Sequence, residues 1–387
     1  MTMTDSARSG RHGVLDGVRV ADFSRVLAGP YATMTLADFG ADVLKIEPPL
    51  GDDTRHWLPP IDENGMATYF GSVNRNKRSV ALDLTDETDR ARALRLAASA
   101  DVVVENFRPG VMARFGLDHD AVRAVNPAVV YCSITGFGDG AGAALAGYDL
   151  LVQAVGGLMS ITGDPDGPAA KAGVALVDVL CGQNAVAGIL LALRERDRSG
   201  VGQRIQVDLL HSLLSALTNQ AASTLATGTP PRRLGNEHPS IAPYALFRAA
   251  DRDLVIAVGN DKQFRALSAA LGLPDLPTDP RFASNADRVA HRDELTAILE
   301  HRLATAPATE WVAHLSAAGI PAGLVNDVAE AIAFAERLGL DPVVELGASR
   351  TIASPIGLSE TPADYRTAPP ELNDAHPAAW LTGEELP

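Results

Sequence analysis

"VRVADFSRVLAGPYATMTLADFGADVLKIE", residues 18–47, decides the fold. Its first seven residues, Val18–Ser24, predict a buried strand. "GPYATMTLADFG" follows with helical spacing, Pro30 near its start and Gly40 as its stop. Ala41–Glu47 predicts a second strand. Strand, helix and strand joined by such short turns predict a βαβ unit with parallel strands.

Outward from this unit the alternation repeats. "SVALDL" (79–84), "DVVVENF" (101–107) and "AVVYCSI" (128–134) predict strands, separated by helices in "TDETDRARALRLAASA" (85–100) and "AVRAVN" (121–126). Thr85 is the candidate N-cap of the first of these, with an incomplete capping box because Thr88 lies three residues on. The pattern predicts a doubly wound α/β sheet. The turn after the first strand, "SRVLAGP", carries the single Gly29 and no G-x-G-x-x-G, so pyrophosphate binding in the NAD manner is not expected. Glu47 is then expected to be a surface charge at a strand end.

A glycine-rich loop (135–147) leads to "AGVALVDVLCGQNAVAGILLALRERDRSGVGQ" (172–203), with a long helix expected from Leu180 to Arg196 and a stop at Ser199-Gly200. A further helix is expected over "QVDLLHSLLSALTNQAAS" (206–223). Composition changes at "TGTPPRRLGNEHPSIAP" (227–243), the mark of a linker or active-site loop. Beyond it, a strand in "LVIAVG" (254–259) and helices over 261–272, 291–304 and 308–319 give a smaller α+β pattern.

The 387 residues carry a net charge of −15, which argues against nucleic acid or an anionic membrane as partner. A polyanionic ligand would need positive charge gathered locally. "NRNKRS" supplies Arg75, Lys77 and Arg78, and "ENFRPGVMARFG" supplies Arg108 and Arg114. Each cluster is a candidate phosphate grip or solvated loop charge. Two cysteines, Cys132 and Cys181, give no disulfide framework and no zinc spacing, so no metal is expected. The polar first dozen residues are expected to fray, and they lack the basic start and apolar run of a signal peptide. The apolar stretch Val174–Leu193 is interrupted by Asp178, Gln183 and Asn184, a poor membrane span, so a cytoplasmic protein is expected.

Asp178 stands alone in that apolar stretch. It fits an N-cap of the long helix. It also fits a nucleophile, since a carboxylate kept ionised by a helix N-terminus in a water-poor setting can attack an activated carbonyl. Cys181, three residues on, fits an inert buried thiol.

"LDGVRVADFSRVLAGPYATMTLADFGADVLKIEPPLGDDTR", "NRNKRSVALDL", "ADVVVENFRPG", "AGYDLLVQAVGGLMS" and "VDVLCGQNAVAGILLALRERDRSGVGQ" occur in the order found in the family III CoA-transferases. The chain resembles that family from about residue 14 to 345. The resemblance implies a Rossmann-like large domain with a parallel sheet, a smaller α+β domain and an interlocked homodimer. It sets the domains at 1–200 for the first part of the large domain, 201–228 for a linker helix, 229–330 for the small domain and 331–387 for a return segment. It implies a catalytic aspartate at Asp178 and CoA contacts at Val26, Leu27, Ala28, Asn106, Phe107, Arg108 and Arg114. Tyr148, Gly156 and Gly157 would border the acyl pocket, with backbone N–H groups of the glycine turn or the helix start stabilising the oxyanion. Pro48 and Thr85 stand where formyl-CoA transferase carries basic residues, which leaves Arg75 and Lys77 as phosphate contacts by charge alone.

The implied reaction moves CoA from an acyl-CoA to a small carboxylic acid through an aspartyl anhydride and an aspartyl-CoA thioester. The only cofactor-like molecule is the coenzyme A thioester, as co-substrate. The alternatives are a 2-methylacyl-CoA racemase, whose "GHD" is "GYD" at Tyr148 here, and a non-catalytic CoA-binding protein.

Overall fold

The computed structural model describes residues 12–376 and 380–381; residues 1–11 of the segment expected to fray lie outside the described residues. Six strands, β1 (Arg19–Asp22), β2 (Asp42–Glu47), β3 (Lys77–Ala81), β4 (Val102–Glu105), β5 (Val130–Thr135) and β6 (Arg204–Asp208), form one parallel sheet in the order β3-β2-β1-β4-β5-β6. β4 and almost all of β5 are buried, as apolar strands covered on both faces must be. The order reverses between β1 and β4, which opens a crevice beyond their carboxyl ends.

The helices of the unit that holds this sheet are α1 (Ala28–Asp38), α2 (Thr68–Gly71), α3 (Glu87–Ala98), α4 (Val111–Arg114), α5 (His119–Val125), α6 (Asp149–Val155), α8 (Leu176–Ser199), α9 (Leu209–Ala216) and α10 (Thr218–Thr227), while the short α7 (Leu158–Ile161) falls almost wholly in the second unit. One apolar core joins α1, α8 and one sheet face through Leu36, Val104, Ile134, Cys181 and Ile189. A second joins α3 and α5 to the other face through Leu44, Val80, Leu96 and Val122. β3 is an edge strand, and the chain's return covers it. Ser79 and Ala81 donate their N–H groups to Asp374 and Asn373, and Ala375 N–H donates to Ser79 O.

Two units emerge from the contacts: residues 1–158, 172–228 and 341–387 in one, 159–171 and 229–340 in the other. The second unit holds an antiparallel sheet, β7 (Tyr244–Arg248), β8 (Asp253–Ala257) and β9 (Ala322–Leu324), packed through Phe247, Leu254, Phe264, Leu299 and Trp311. It runs ten residues past the expected 330, because helix Val328–Arg337 belongs to it, tied by the Arg252–Glu330 ion pair.

Three local expectations are corrected. Asp86, not Thr85, caps α3, accepting from Thr88 N and Asp89 N. The segment expected as a linker helix begins with strand β6, and its helix breaks at Thr218, where φ is 40°. The long helix starts at Leu176, four residues earlier than expected, so Asp178 is its third residue and not its N-cap.

α1 and α8 cross at Gly182. A Cβ there would lie 2.7 Å from Ala28 O and 3.1 Å from the Tyr31 ring. Gly29 does the same for the turn after β1, since a Cβ on it would fall 2.2 Å from the Ser24 side chain. Gly182→Ala is therefore expected to force the two helices apart and cost about 1–3 kcal/mol, read as a lower unfolding midpoint. CoA transfer should fall with it, because α1 and α8 each carry one wall of the crevice described next.

Candidate active site

β1 and β4 end side by side, and the loops that follow them are tied together. Arg25 N–H donates to Asn106 Oδ1 at 2.9 Å, and Asn106 Nδ2 returns a bond to Arg25 O at 2.7 Å. Val26, with φ at 68°, occupies the left-handed region that β-branched residues avoid. Its N–H is held by Asp52, which is buried and fixed by Lys45 at 2.9 Å. Such strain persists where the surroundings over-determine it, and here it aims the backbone of 26–28 into the crevice.

The crevice has a volume of about 470 Å³. Its walls include Val26, Leu27 and Ala28 after β1, Asn106, Phe107 and Arg108 after β4, the glycine-rich loop, Tyr148, and Asp178. A second cleft of about 260 Å³ adjoins it past the shared Arg25 and Phe107. It is mostly apolar, lined by Phe23, Ile46, Pro48, Leu82, Leu84 and Phe115 among others, with Thr85 at its rim. Both lie outside the carboxyl ends of the strands, where open α/β sheets bind ligands.

Asp178 projects from the first turn of α8, whose N-cap, Ala175, supplies no side-chain bond. The capping comes from elsewhere: Asp149 Oδ1 accepts from Val177 N at 2.8 Å and from Asp178 N at 3.3 Å. The Asp178 carboxylate itself accepts no hydrogen bond among the described residues. Burial, and then the negative charge of Asp149, push its pKa up to about 7. This reverses the expectation that the helix N-terminus keeps Asp178 ionised, because Asp149 has taken the amides that would do so. Tyr69 stands nearby, edge-on to Trp57 at 4.9 Å; burial and then Asp178 push its phenol up to about 12. Cys181 is buried and its thiol is also pushed up to about 12, chiefly by burial.

Five expected site residues lie elsewhere for clear reasons. Arg75 is buried in a bidentate pair with Asp38, at 2.9 and 2.6 Å, and also donates to Thr351 Oγ1 and Ile352 O. Lys77 is buried against Asp22 at 3.1 Å, with Pro30 O and Asn74 Oδ1 as its other acceptors. Lys77 has no donor left for a phosphate, and Arg75 spends four of its five. Gly156 and Gly157 pack beside Leu213 and Leu217 outside the crevice, and Gly156 N–H is spent on Val152 O at 2.8 Å. The N–H groups at the start of α8, the other expected oxyanion donors, are the ones taken by Asp149. Arg114 is exposed on α4 and lines neither cleft. Glu47, expected at the surface, is buried and gripped by Arg55 at 2.8 and 2.7 Å.

Arg25, His56, Trp57 and Asp149 were not singled out from sequence, yet all line the crevice. Arg25 precedes a singled-out run and Asp149 follows Tyr148, so adjacency was the available signal. Nothing local marks His56 or Trp57.

The model of CoA-transferase family III matches residues 15–376. A succinate–glutarate CoA-transferase of Agrobacterium fabrum is 43% identical, the alignment covering 96% of both chains. An acetyl-CoA:oxalate CoA-transferase of Acetobacter aceti is 41% identical over 92% of both. The crystal structure of a CAIB/BAIF family protein from Brucella suis superimposes with a TM-score of 0.87 at 43% identity, covering 95% of this chain and 98% of that one. The chain belongs to CoA-transferase family III and is an acyl-CoA:carboxylate CoA-transferase.

Proposed function

We propose that Asp178 is the covalent carrier in this transfer and that the acids exchanged are short dicarboxylic acids. The carrying observation is a half-buried, unbonded carboxylate inside a crevice whose other walls are the loops after β1 and β4. Succinate, glutarate and oxalate appear in the names of the relatives, which supports the substrate class. Arg25 on the crevice wall offers positive charge to a second carboxylate.

In this reading the pantetheine arm of CoA lies along 26–28 and its nucleotide end enters the apolar cleft beside Phe107. Arg108 faces the phosphates, taking the role expected of Arg75 and Lys77. An Asp178 oxygen attacks the thioester carbonyl and the C–S bond breaks, giving a mixed anhydride and CoA thiolate. Thiolate attacks the aspartyl carbonyl, expels the donor acid as its carboxylate and leaves an aspartyl-CoA thioester. The acceptor carboxylate attacks that carbonyl, displacing thiolate and forming a second anhydride. Thiolate then takes the acceptor acyl group and frees Asp178. Each step trades one acyl bond for another, so the cycle needs no phosphate-bond energy.

The reading extends to a cytoplasmic homodimer of interlocked chains. Leu150, Leu151 and Val155 on α6, Leu190 and Leu191 on α8 and Leu214 on α9 expose apolar surface of the kind a second copy covers.

Trapping tests the mechanism. Protein incubated with succinyl-CoA and then hydroxylamine should gain a hydroxamate on Asp178, located by peptide mass; borohydride should reduce the thioester at the same residue. Modification confined to other residues, with transfer intact, would sink it.

A further inference from the structure

We propose that Asp149 is a positioning residue for the reaction: its carboxylate seats the first turn of α8 and withholds that turn's amides from Asp178. The inference rests on Asp178 being the covalent carrier.

The geometry is a closed clamp. Asp149 and Gln153 lie four residues apart, on one face of α6. Asp149 Oδ1 accepts from Val177 N and Asp178 N, and its Oδ2 accepts from Gln153 Nε2 at 2.6 Å. Gln153 Oε1 accepts from Ala172 N at 2.8 Å. One side-chain pair thus fixes both the loop that enters α8 and the turn that carries Asp178. Gln153 is buried, so the pair is held by packing as well as by hydrogen bonds.

The chemistry follows from what the amides would otherwise do. Free N–H groups at a helix start stabilise a nearby carboxylate. That stabilisation would be lost as Asp178 gives up its charge in attacking the thioester, and the barrier would rise by the same amount. Asp149 removes the stabilisation by occupying the amides and adds a repelling charge. The resting carboxylate is left without partners, facing the crevice. Asp149 therefore acts through position and field and touches no reacting atom.

Tyr69 on α2 and Cys181 on α8 feel the charge of Asp178, and Arg25, Asp53, His56 and Arg108 line the same crevice. Asp208 of β6 and His211 of α9 are paired with each other at 2.7 Å. Asp149 is the carboxylate whose removal changes the field at Asp178 most.

The test is the pH profile of kcat/KM for succinyl-CoA-dependent transfer, on the full chain, for wild type, Asp149→Asn and Gln153→Ala. Wild type should show an acid limb near pH 7. In Asp149→Asn that limb should move down by about one pH unit, with the plateau lowered at least about tenfold and the KM for succinyl-CoA changed less than about threefold. Gln153→Ala keeps the charge and loosens the clamp, so its plateau should fall with the limb unmoved. An unmoved limb in a folded Asp149→Asn protein overturns the proposal. Should that variant not fold, a Gln153→Ala enzyme with wild-type kcat overturns it instead. Absence of any Asp178 adduct in wild type would sink the covalent reading beneath it, whereas a normal adduct with an unmoved profile sinks this inference alone.

Discussion

Asp178→Ala and Asp178→Asn are each expected to lower CoA transfer by about 10⁴-fold or more, since a covalent route that loses its nucleophile has no second path. CoA affinity should survive, because the crevice walls after β1 and β4 do not depend on Asp178. Asp178→Asn should also stabilise the protein, and the sign is instructive. The folded carboxyl has a pKa of about 7 against an ordinary 3.8. The native state therefore disfavours the charge, a penalty absent below the ordinary value and complete above about pH 7. At pH 9 the amide removes it, a gain of at most about 4 kcal/mol at about 1.4 kcal/mol per pKa unit. At pH 3 wild type and variant should unfold together. A thermal scan at the two pH values reads this directly. A variant that is inactive and less stable at pH 9 would mean that Asp178 serves the fold, and the assignment of a nucleophile would fail.

What the sequence carried well was periodicity. The βαβ unit over 18–47, the later strands and the long helix all depend on local apolar spacing, and parallel strands covered on both faces make that spacing emphatic. Its reading of Asp178 went astray by four residues for a physical reason. Aspartate is favoured at N-caps, so the local pattern points to a helix that begins after Asp178. The true start, Leu176, is capped by Asp149, twenty-seven residues upstream of Leu176, and no local pattern reports a cap supplied by another helix.

Charge misled in the same way. "NRNKRS" displays three cations in six residues of an acidic chain, and a phosphate grip was a fair expectation. The partners that consume two of them, Asp22 and Asp38, sit inside "VADFS" and "LADFG", in a strand and a helix far from the cluster in sequence. Pairing across the fold decides whether such a cluster faces ligand or core. Glu47 follows the same logic: its partner Arg55 lies beyond a turn, and the pair closes only when the 3₁₀ turn at 53–56 folds back.

The buried pairs themselves give the second large effect. Arg75→Met or Lys77→Met should each cost about 3–5 kcal/mol of folding free energy, because each strands a carboxylate in the interior. Asp38 would keep Asn76 Nδ2 at 2.9 Å, and Asp22 would keep Thr33 and Ser24, none of which carries charge. Lys45 would remain near Asp22 and Arg366 near Asp38, neither hydrogen-bonded to that carboxylate among the described residues. Denaturant unfolding followed by tryptophan fluorescence would read the loss. A phosphate contact predicts the opposite pattern, with weaker CoA binding and an unchanged unfolding midpoint. Arg108→Ala should display that pattern, since Arg108 is exposed on the crevice wall and its guanidinium makes no hydrogen bond or ion pair among the described residues. An exposed ionic contact is worth about 1 kcal/mol, about fivefold in CoA affinity. If instead Lys77→Met unfolds like wild type and binds CoA more weakly, the pair with Asp22 is dispensable and the cation belongs to the ligand.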